Sequence, residues 1–505
     1  MIHFGWIDYT VAAVYLTTLV IVGSLFVKGQ HSINDFFLAG RSMGGLVVAI
    51  SILAAFFSGI SYLGAPAEVY KNGLAFFWVM LAFFIATPFT TLFLMPFFYR
   101  ARFLTAYHYL EERFSLPVRL LASGLFILRV SLWLGGAVYA PALALKQATG
   151  LPLWISILAT GILTTFYTTL GGMKAVIWTD VIQFFVLFGG QALIVVAALV
   201  KIPGGWSEIA QVAAANGQPL PLATLDPSVR ITWPGVLLAA ALLLLVQMAT
   251  DQVAVQRYMT ARDLRTARRA LWLKLAATLP VLALFYGTGV VLRAFYNHAP
   301  DPLATKLISS ADQILPYFVV NELPCGLPGV LIAAILGASM STCSAGLNSL
   351  ASATMVDFQQ RLSRGPKSSD AQQLRQARLW TVAYGALVIG LAYVVSRLGT
   401  LVEATNTIIG MIGGPLLGLF ITGIFIKRVN ASAALCGCVV GFAACIVTKL
   451  CTETSFLWFT FIGTAVTCLV AWLLSFLWRS AQAKDLRGLV WDNSMLANEE
   501  VKDRR

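Results

Sequence analysis

The segment SILAAFFSGISYLGAP, residues 51–66, lies within an apolar stretch that is long enough to cross a bilayer. Gly59, Gly64 and Pro66 weaken a helix here, and Ser58 and Ser61 place hydroxyl groups beside the weak point. A helix interrupted at mid-membrane frees backbone carbonyl and amide groups that can bind ions or solutes. The alternative is a kinked, continuous helix whose serines bond back to their own carbonyls, and this segment alone leaves both open.

The composition of the whole chain places this segment in a membrane protein. Of the 505 residues, 58% are apolar and 11% are charged, whereas soluble domains are about 45–50% apolar and about 25% charged. Because one span needs roughly 20 apolar residues, we predict an all-α polytopic membrane protein of about thirteen helices. The predicted spans are 9–28, 44–70, 74–98, 118–147, 152–170, 174–201, 233–256, 270–296, 327–357, 377–398, 400–426, 431–450 and 457–478.

The formal charge of +13 could indicate a nucleic-acid partner, but its distribution indicates membrane topology instead. Of the 35 Lys and Arg residues, 26 lie in or next to one set of loops and 8 in or next to the other. Because cytoplasmic loops are rich in Lys and Arg, the amino terminus is predicted outside and the carboxyl terminus inside. We therefore expect a multi-pass protein of the plasma membrane in contact with lipid, with no nucleic acid and no obligatory protein partner.

Several enzyme and pump classes lack the residues they would need. The chain has four His and seven Cys with no CxxC pair, and no GxxxxGK[ST] motif. Haem or zinc ligation and an ATP-driven motor are therefore not indicated. No nucleophile and base pair is visible, so the protein is not expected to be an enzyme. Cys325 and Cys451, both in predicted outer loops, could form a disulfide.

The ninth predicted span carries a polar face. Residues 338, 341, 342, 345 and 348 follow helical spacing and share one side of the helix. Ser341 and Thr342 on that side supply hydroxyl oxygens, which suit a hard cation. Small and hydroxyl residues also line ordinary helix contacts in membranes, which is the alternative.

Three charged residues lie at positions where a charge in lipid is costly. Asp180 either has a cation, a proton or a hydrogen-bonded partner within the membrane, or it begins a helix near the cytoplasmic surface after the turn at Gly171-Gly172. Arg129 either anchors an anionic solute or pairs with an acid such as Glu403. Asp251 either belongs to a transport pathway or pairs with Arg257.

Six short strings along the chain form a recognisable pattern. In chain order they are FLAGRS (37–42), GAPAEVY (64–70), TAYHYLE (105–111), GGMKAVIWTD (171–180), QRY (256–258) and GGPLLG (413–418). Taken together, these motifs resemble the sodium:solute symporter family over residues 7–480. The segment from Gly40 to Tyr70 looks most like the branch that carries iodide, monocarboxylates and vitamins.

The resemblance implies the LeuT-type fold, in which two five-helix repeats are inverted relative to each other. We therefore expect an extra helix and inner loop (1–43), a first repeat (44–201), and an outer loop with the second repeat (202–426). Two further helices (427–478) and a cytoplasmic tail (479–505) would follow. The family's second broken helix should lie near 240–252, but that stretch contains no Gly or Pro.

The resemblance also implies site residues. The principal sodium site maps to the carbonyls of Ala54, Phe57 and Ala338 and the hydroxyls of Ser341 and Thr342. A second sodium site or sodium exit path maps to Asp180 with Ser341 and Ser344, although Ala345 stands where a hydroxyl is frequent. The solute contacts map to Ser58, Ser61, Phe76, Met80 and Trp133, with Arg129 one turn before Trp133.

These features predict a secondary active symporter in which sodium drives uptake of a small organic solute by alternating access. A carboxylate-bearing anion is the expected solute, and a neutral sugar or amino acid is the alternative. A proton-coupled carrier that uses Asp180 or Asp251 is a further alternative.

Overall fold

The computed structural model describes residues 5–25, 33–101, 104–216, 224, 226–363, 369–397, 400–478, 486 and 488–491, and most of the predicted tail 479–505 lies outside them. Within these ranges the chain is helical, without a β-strand. The helices are α1 (Trp6–Leu25), α2 (Ile33–Leu38), α3 (Gly45–Phe56), α4 (Gly59–Asn72), α5 (Leu81–Phe89), α6 (Met95–Ala101), α7 (His108–Arg113), α8 (Leu116–Thr149), α9 (Leu153–Lys201), α10 (Gly205–Asn216), α11 (Ala241–Leu245), α12 (Gln252–Tyr258), α13 (Leu264–Tyr296), α14 (Ile314–Glu322), α15 (Leu327–Ala353), α16 (Gln360–Leu362), α17 (Asp370–Val395), α18 (Leu401–Phe425), α19 (Ala431–Cys451) and α20 (Trp458–Leu477). Short 3₁₀ segments (Ala39–Arg41, Leu74–Met80, Ala311–Gln313) and π-helical segments (Thr90–Leu94, Gly235–Ala240, Val246–Thr250, Thr354–Gln359) adjoin them.

Twelve of the thirteen predicted spans correspond to helices, or bent pairs of helices, that are long and apolar enough to cross a bilayer, and the exact number of spans stays a prediction. Among the described residues, ten helices are long and apolar enough to cross a bilayer, and two bent pairs raise that number to twelve. The predicted span 152–170 corresponds to a shorter apolar helix, Leu153–Phe166, within α9. Gly172 interrupts α9 with φ 57°, a conformation that a side chain would strain. The orientation of the spans in the membrane stays a prediction.

The segment that the sequence marked as weak is a true break. α3 ends at Phe56 and α4 begins at Gly59, with a bend of 59° between the two helices. Ser58 has an extended backbone, and its hydroxyl accepts a hydrogen bond from the amide of Ile60 at 3.2 Å. A Cβ atom at Gly59 would lie 2.3 Å from Oγ of Ser339, so glycine permits the close approach of α15. The continuous, kinked alternative is therefore wrong.

A second break divides the segment Gly235–Thr250 from α12 at an angle of 55°. Asp251 stands at the break with an extended backbone, and its carboxylate accepts a hydrogen bond from the amide of Val253 at 2.9 Å. The break lies within the stretch that the family resemblance indicated, although neither Gly nor Pro is present there. Here the carboxylate of Asp251 caps the new half-helix, so the helix is interrupted without a Gly or a Pro.

The two breaks lie around a central helix, α15. Nearly every residue of α15 from Pro328 to Ala353 is buried, and the helix packs against α3, α4, α8 and α9. Because a helix that is buried on all sides needs small residues where its neighbours approach, the Ala-, Ser- and Gly-rich sequence of α15 fits this place. The proposed repeat boundaries at 44–201 and 202–426 remain predictions.

Candidate functional site

A central cavity of about 130 Å³ lies beside the first break. Five of the six residues predicted to contact the solute line it, Arg129 being the exception, and the side chains that form its wall are uncharged. These five residues are Ser58, Ser61, Phe76, Met80 and Trp133.

The cavity also holds polar groups that the sequence analysis missed. Gln247, Tyr286, Thr405 and Asn406 come from three other segments and contribute amide and hydroxyl groups to the wall. Two of these residues could have been recognised in the sequence, because Gln247 and Asn406 are polar residues inside long apolar runs. Their convergence on one cavity depends on how the second broken helix and α18 pack, which the sequence does not show.

A smaller cavity of about 30 Å³ adjoins the first and shares Phe56, Trp133 and Gln247 with it. Arg129 and Asp251 line this smaller cavity, with Nη2 of Arg129 at 2.7 Å from Oδ2 of Asp251. Neither Nη2 nor Nε of Arg129 is aligned for a hydrogen bond, so donor capacity remains beside the cavity. The pairing of Arg129 with Glu403 that the sequence allowed is wrong, because α18 places Glu403 next to Arg230 instead.

Asp180 forms the centre of a buried polar cluster between α3, α9, α12 and α15. Its Oδ1 accepts a hydrogen bond from Ser341 at 2.6 Å, and Oδ2 accepts from Ser51 and, at 3.0 Å, from Nη2 of Arg257. Asp180 therefore does not cap a helix at the surface, and the predicted pairing of Asp251 with Arg257 is wrong. Arg257 pairs with Asp180, and Asp251 pairs with Arg129.

Among the residues mapped to the principal sodium site, Thr342 of α15 contacts the end of α3. Thr342 donates a hydrogen bond to the carbonyl of Ala55 at 3.0 Å, and Ser344 donates to the carbonyl of Ser341 at 3.0 Å. The residues mapped to this site are all buried. The last turn of a helix leaves its carbonyls without partners in the helix, so oxygen ligands are concentrated at this contact. The mapped set is Ala54, Phe57, Ala338, Ser341 and Thr342.

An ion-pair cluster lies above the central cavity, on the predicted outer side. Arg230 bonds to both oxygens of Glu68, at 2.8 and 3.1 Å, and to Glu403. Burial alone would lower the pKa of Arg230, but the charges and hydrogen bonds of Glu68 and Glu403 raise it. Phe456 lies 5.1 Å from the Arg230 guanidinium and 5.9 Å from the ring of Phe76 in the cavity wall.

These contacts join α4 to α18, and they separate the central cavity from a wider vestibule of about 390 Å³.

The disulfide that the sequence allowed between Cys325 and Cys451 is absent. Both cysteines are free, and Cys325 contacts Asp8.

Comparison with known proteins agrees with this arrangement. The model of the sodium:solute symporter family matches residues 36–441. The chain belongs to this family. The symporter is 37% identical to a putative sodium-dependent multivitamin transporter of Drosophila melanogaster, over 88% of this chain and 75% of that protein. It is 36% identical to the sodium-coupled monocarboxylate transporter 1 of Homo sapiens (86% and 72%) and 36% identical to the sodium/iodide cotransporter of Homo sapiens (87% and 69%).

Among solved structures, the symporter is similar to a Na⁺-coupled sialic acid symporter in a substrate-bound, outward-open state. The TM-score is 0.85 at 30% identity, and the match covers 95% of this chain and 99% of the other. The LeuT-type fold and the family branch are thereby confirmed. The symporter is an integral protein of the plasma membrane that couples sodium to the transport of a small solute, and it is not an enzyme.

Proposed function

We propose that this symporter takes up a small organic anion with one carboxylate group, coupled to one sodium ion per cycle. The observation that carries the proposal is the pair of joined cavities: an apolar, aromatic chamber beside Ser58 and Ser61, and a smaller recess that contains Arg129. The chamber suits a short hydrocarbon or vitamin-like body. The unsatisfied donors of Arg129 suit a carboxylate, for which a guanidinium is the matching partner.

Sodium binds, in this proposal, where α15 crosses the end of α3. The carbonyls of Ala54, Phe57 and Ala338 and the hydroxyls of Ser341 and Thr342 supply five oxygens to a hard cation. Ser341 would turn its hydroxyl from Asp180 to the ion, and Thr342 would turn from the carbonyl of Ala55. Bound sodium then bridges the half-helix and α15, which favours the state that accepts solute from outside.

We propose one sodium ion rather than two because Arg257 already neutralises Asp180. The guanidinium of Arg257 lies 3.0 Å from Oδ2 of Asp180 and also bonds to Ser51 at 3.0 Å. A second cation beside Asp180 and Ser344 would have to displace this buried charge, and Ala345 offers no hydroxyl as compensation. In this proposal Asp180 lies on the path by which the single sodium ion leaves the site towards the inside of the cell.

One sodium ion supplies enough free energy for uptake of an organic solute. A tenfold sodium gradient provides about 1.4 kcal/mol, and a charge that crosses 100 mV of membrane potential provides about 2.3 kcal/mol. For a neutral solute these terms would support roughly 500-fold accumulation. For a monovalent anion the charges cancel, so only the chemical gradients remain.

A neutral solute is the second candidate, because the wall of the central cavity itself carries no charged side chain. Gln247, Thr405 and Asn406 could bind the hydroxyl groups of a sugar or the ammonium group of an amino acid. A proton-coupled carrier is less well supported, since both acids that could carry the proton, Asp180 and Asp251, are paired with arginines.

Uptake into proteoliposomes tests the proposal. Labelled butyrate, pantothenate, sialic acid, iodide, glucose and proline are each supplied with an inward sodium gradient, and again with potassium in place of sodium. We expect butyrate or pantothenate to accumulate only with sodium. In Arg129→Gln that uptake should fall at least tenfold, whereas the matched variant Arg428→Gln, which lies in the loop between α18 and α19, should behave as the wild type.

Three results would contradict the proposal or a part of it. Sodium-dependent uptake of glucose or of zwitterionic proline, without uptake of butyrate, pantothenate or sialic acid, would identify a solute without net charge. Uptake that ignores sodium but follows a pH gradient would identify proton coupling. A sodium titration of the transported carboxylate with a Hill coefficient of 2 would replace one sodium ion with two.

A further inference from the structure

Lys274 is a buried cation that the proposed transport cycle has not used. It lies in the first half of α13, and its side chain is 1% exposed. Its ammonium nitrogen, Nζ, makes no hydrogen bond within the described part of the chain. Charged groups at membrane depth are rare and normally pair with other groups, so an unpaired ammonium here calls for a partner that arrives from outside the protein.

The other buried cations around the transport path are already compensated. Arg129 pairs with Asp251 at 2.7 Å, and Arg257 pairs with Asp180 at 3.0 Å. Further towards α7, Arg119 bonds to Asp357 at 2.8 Å through Nε. Each of these pairs sums to zero charge. Lys274, in contrast to these three arginines, has no acid at ion-pair distance within the described part of the chain.

Two aromatic rings connect Lys274 with the cavities. Nζ lies 4.4 Å from the ring centre of Phe56 and 4.4 Å from that of Phe83. Both phenylalanines line the central cavity, and Phe56 also lines the smaller recess next to Arg129. The aromatic faces stabilise the ammonium in an apolar site, but they carry no net negative charge. The ammonium thus stands directly behind the wall that the two cavities share.

We propose that Lys274 supplies the positive charge that makes the symporter selective for a monovalent anion. In this arrangement Arg129 donates hydrogen bonds to the anionic group, but Asp251 cancels its charge. Lys274 compensates the charge of the solute through the aromatic wall, where the low dielectric strengthens the attraction. This inference rests on the proposed function and adds to it the residue that determines the charge of the solute.

The position of Phe56 links this charge to the transport cycle. Phe56 is the last residue of α3 and directly precedes the break at Phe57 and Ser58. Any movement of the half-helix relative to α13 shifts the ring that separates Lys274 from the solute. The attraction between Lys274 and a bound anion therefore changes with the state of the broken helix.

The experiment compares an anionic solute with its neutral analogue. Sodium-driven uptake of pantothenate and of panthenol, in which an alcohol replaces the carboxylate, is measured in proteoliposomes, together with butyrate and butyramide. The variants are Lys274→Met, which removes the charge but keeps the length, and Lys274→Arg, which keeps the charge. Arg428→Met is the matched control, because it removes a cation that lies 4.1 Å from the ring of Phe476, away from the cavities.

We expect Lys274→Met to raise the KM of pantothenate and butyrate about tenfold and to leave the KM of the neutral analogues within twofold. Lys274→Arg should retain most of the preference for the anions, and Arg428→Met should retain all of it. Equal changes for charged and neutral solutes would show a purely structural role and overturn the inference. An unchanged KM for the anions in Lys274→Met would overturn it as well.

The wild type provides a test that does not depend on folding of the variants. If Lys274→Met is not monodisperse, Lys274→Gln replaces it. A wild type whose KM for panthenol equals its KM for pantothenate overturns the inference without any variant. Absence of sodium-dependent uptake of every solute in the wild type would overturn the proposed function, and the inference with it. Sodium-dependent uptake that Lys274→Met leaves unchanged would overturn the inference alone.

Discussion

The two broken helices are capped at the same point by different side chains. At the first break the neutral hydroxyl of Ser58 accepts a hydrogen bond from the amide of Ile60, and at the second the carboxylate of Asp251 accepts one from the amide of Val253. Each break also presents a carbonyl that accepts a hydrogen bond from a neighbouring segment. At the first break Thr342 donates to Ala55, and at the second Tyr107 donates to Thr250, both at 3.0 Å.

The difference between the breaks is their charge. The second break carries a carboxylate and already holds its counter-charge, because Arg129 lies 2.7 Å from Asp251. The caps and carbonyl contacts of the first break are all neutral, so that site can accept a cation from solution. We infer that the first break binds the sodium ion. The second break is held by an internal ion pair and faces the solute.

The largest effect should come from Asp251→Ala. This change removes the cap of α12 and leaves Arg129 buried without its acid. Breaking one partner of a buried pair costs about 3–5 kcal/mol, and losing a cap costs about 1 kcal/mol more. Thermal unfolding in detergent, followed by tryptophan fluorescence, should show a strongly lowered Tm, with little folded protein left at 37 °C.

Matched variants separate the two contributions to this effect. Asp251→Asn keeps a capping oxygen but loses the charge, and the double variant Asp251→Asn with Arg129→Gln removes both charges. We expect the double variant to recover most of the stability that Asp251→Asn loses. If Asp251→Asn is as stable as the wild type, the ion pair does not hold the second break.

The same contrast explains what the sequence could predict. The first break was visible because Gly59, Gly64 and Pro66 are residues that disfavour a helix. The second break was not visible from composition, because only an acid in an apolar run, Asp251, marked it. Read as an N-cap rather than as half of an ion pair, Asp251 would have located the break.

The spans followed from apolar runs, and Ser58 and Ser61 from their place beside the break, which are local properties of the sequence. The other predicted cavity residues, Phe76, Met80 and Trp133, followed only from the family resemblance.

The pairing of the charged residues could not be predicted in either way. Arg129 and Asp251 are far apart in the chain, as are Asp180 and Arg257, and only the packing of α8, α9 and α12 decides which acid meets which arginine. Lys274 lies close to a predicted inner loop, and its burial against Phe56 and Phe83 had no signature in the sequence.

An intermediate effect is expected when the hydrogen bond to the exposed carbonyl is removed at each break. Thr342→Val deletes the donor to Ala55, and Tyr107→Phe deletes the donor to Thr250. Each change should cost about 1–3 kcal/mol, because a buried carbonyl loses its partner. Only Thr342→Val should also raise, severalfold, the sodium concentration for half-maximal uptake, since only that hydroxyl lies at the proposed ion site.

Sodium titrations of uptake by the two variants and the wild type provide the measurement. Thr342→Ser, which keeps the hydroxyl, is the control and should restore the sodium dependence of the wild type. Equal sodium dependence in Thr342→Val and Tyr107→Phe would mean that the two breaks do not differ in ion binding.

The smallest effect should come from Ser58→Ala. The hydroxyl of Ser58 accepts a single, rather long hydrogen bond of 3.2 Å from the amide of Ile60, and no buried counter-charge depends on it. Loss of such a cap costs about 1 kcal/mol, so the Tm should fall far less than in Asp251→Ala. Ser58→Gly is the matched control, because glycine at a cap costs only a few tenths of a kcal/mol. A fall in Tm as large as that of Asp251→Ala would show that the neutral break is held as tightly as the charged one.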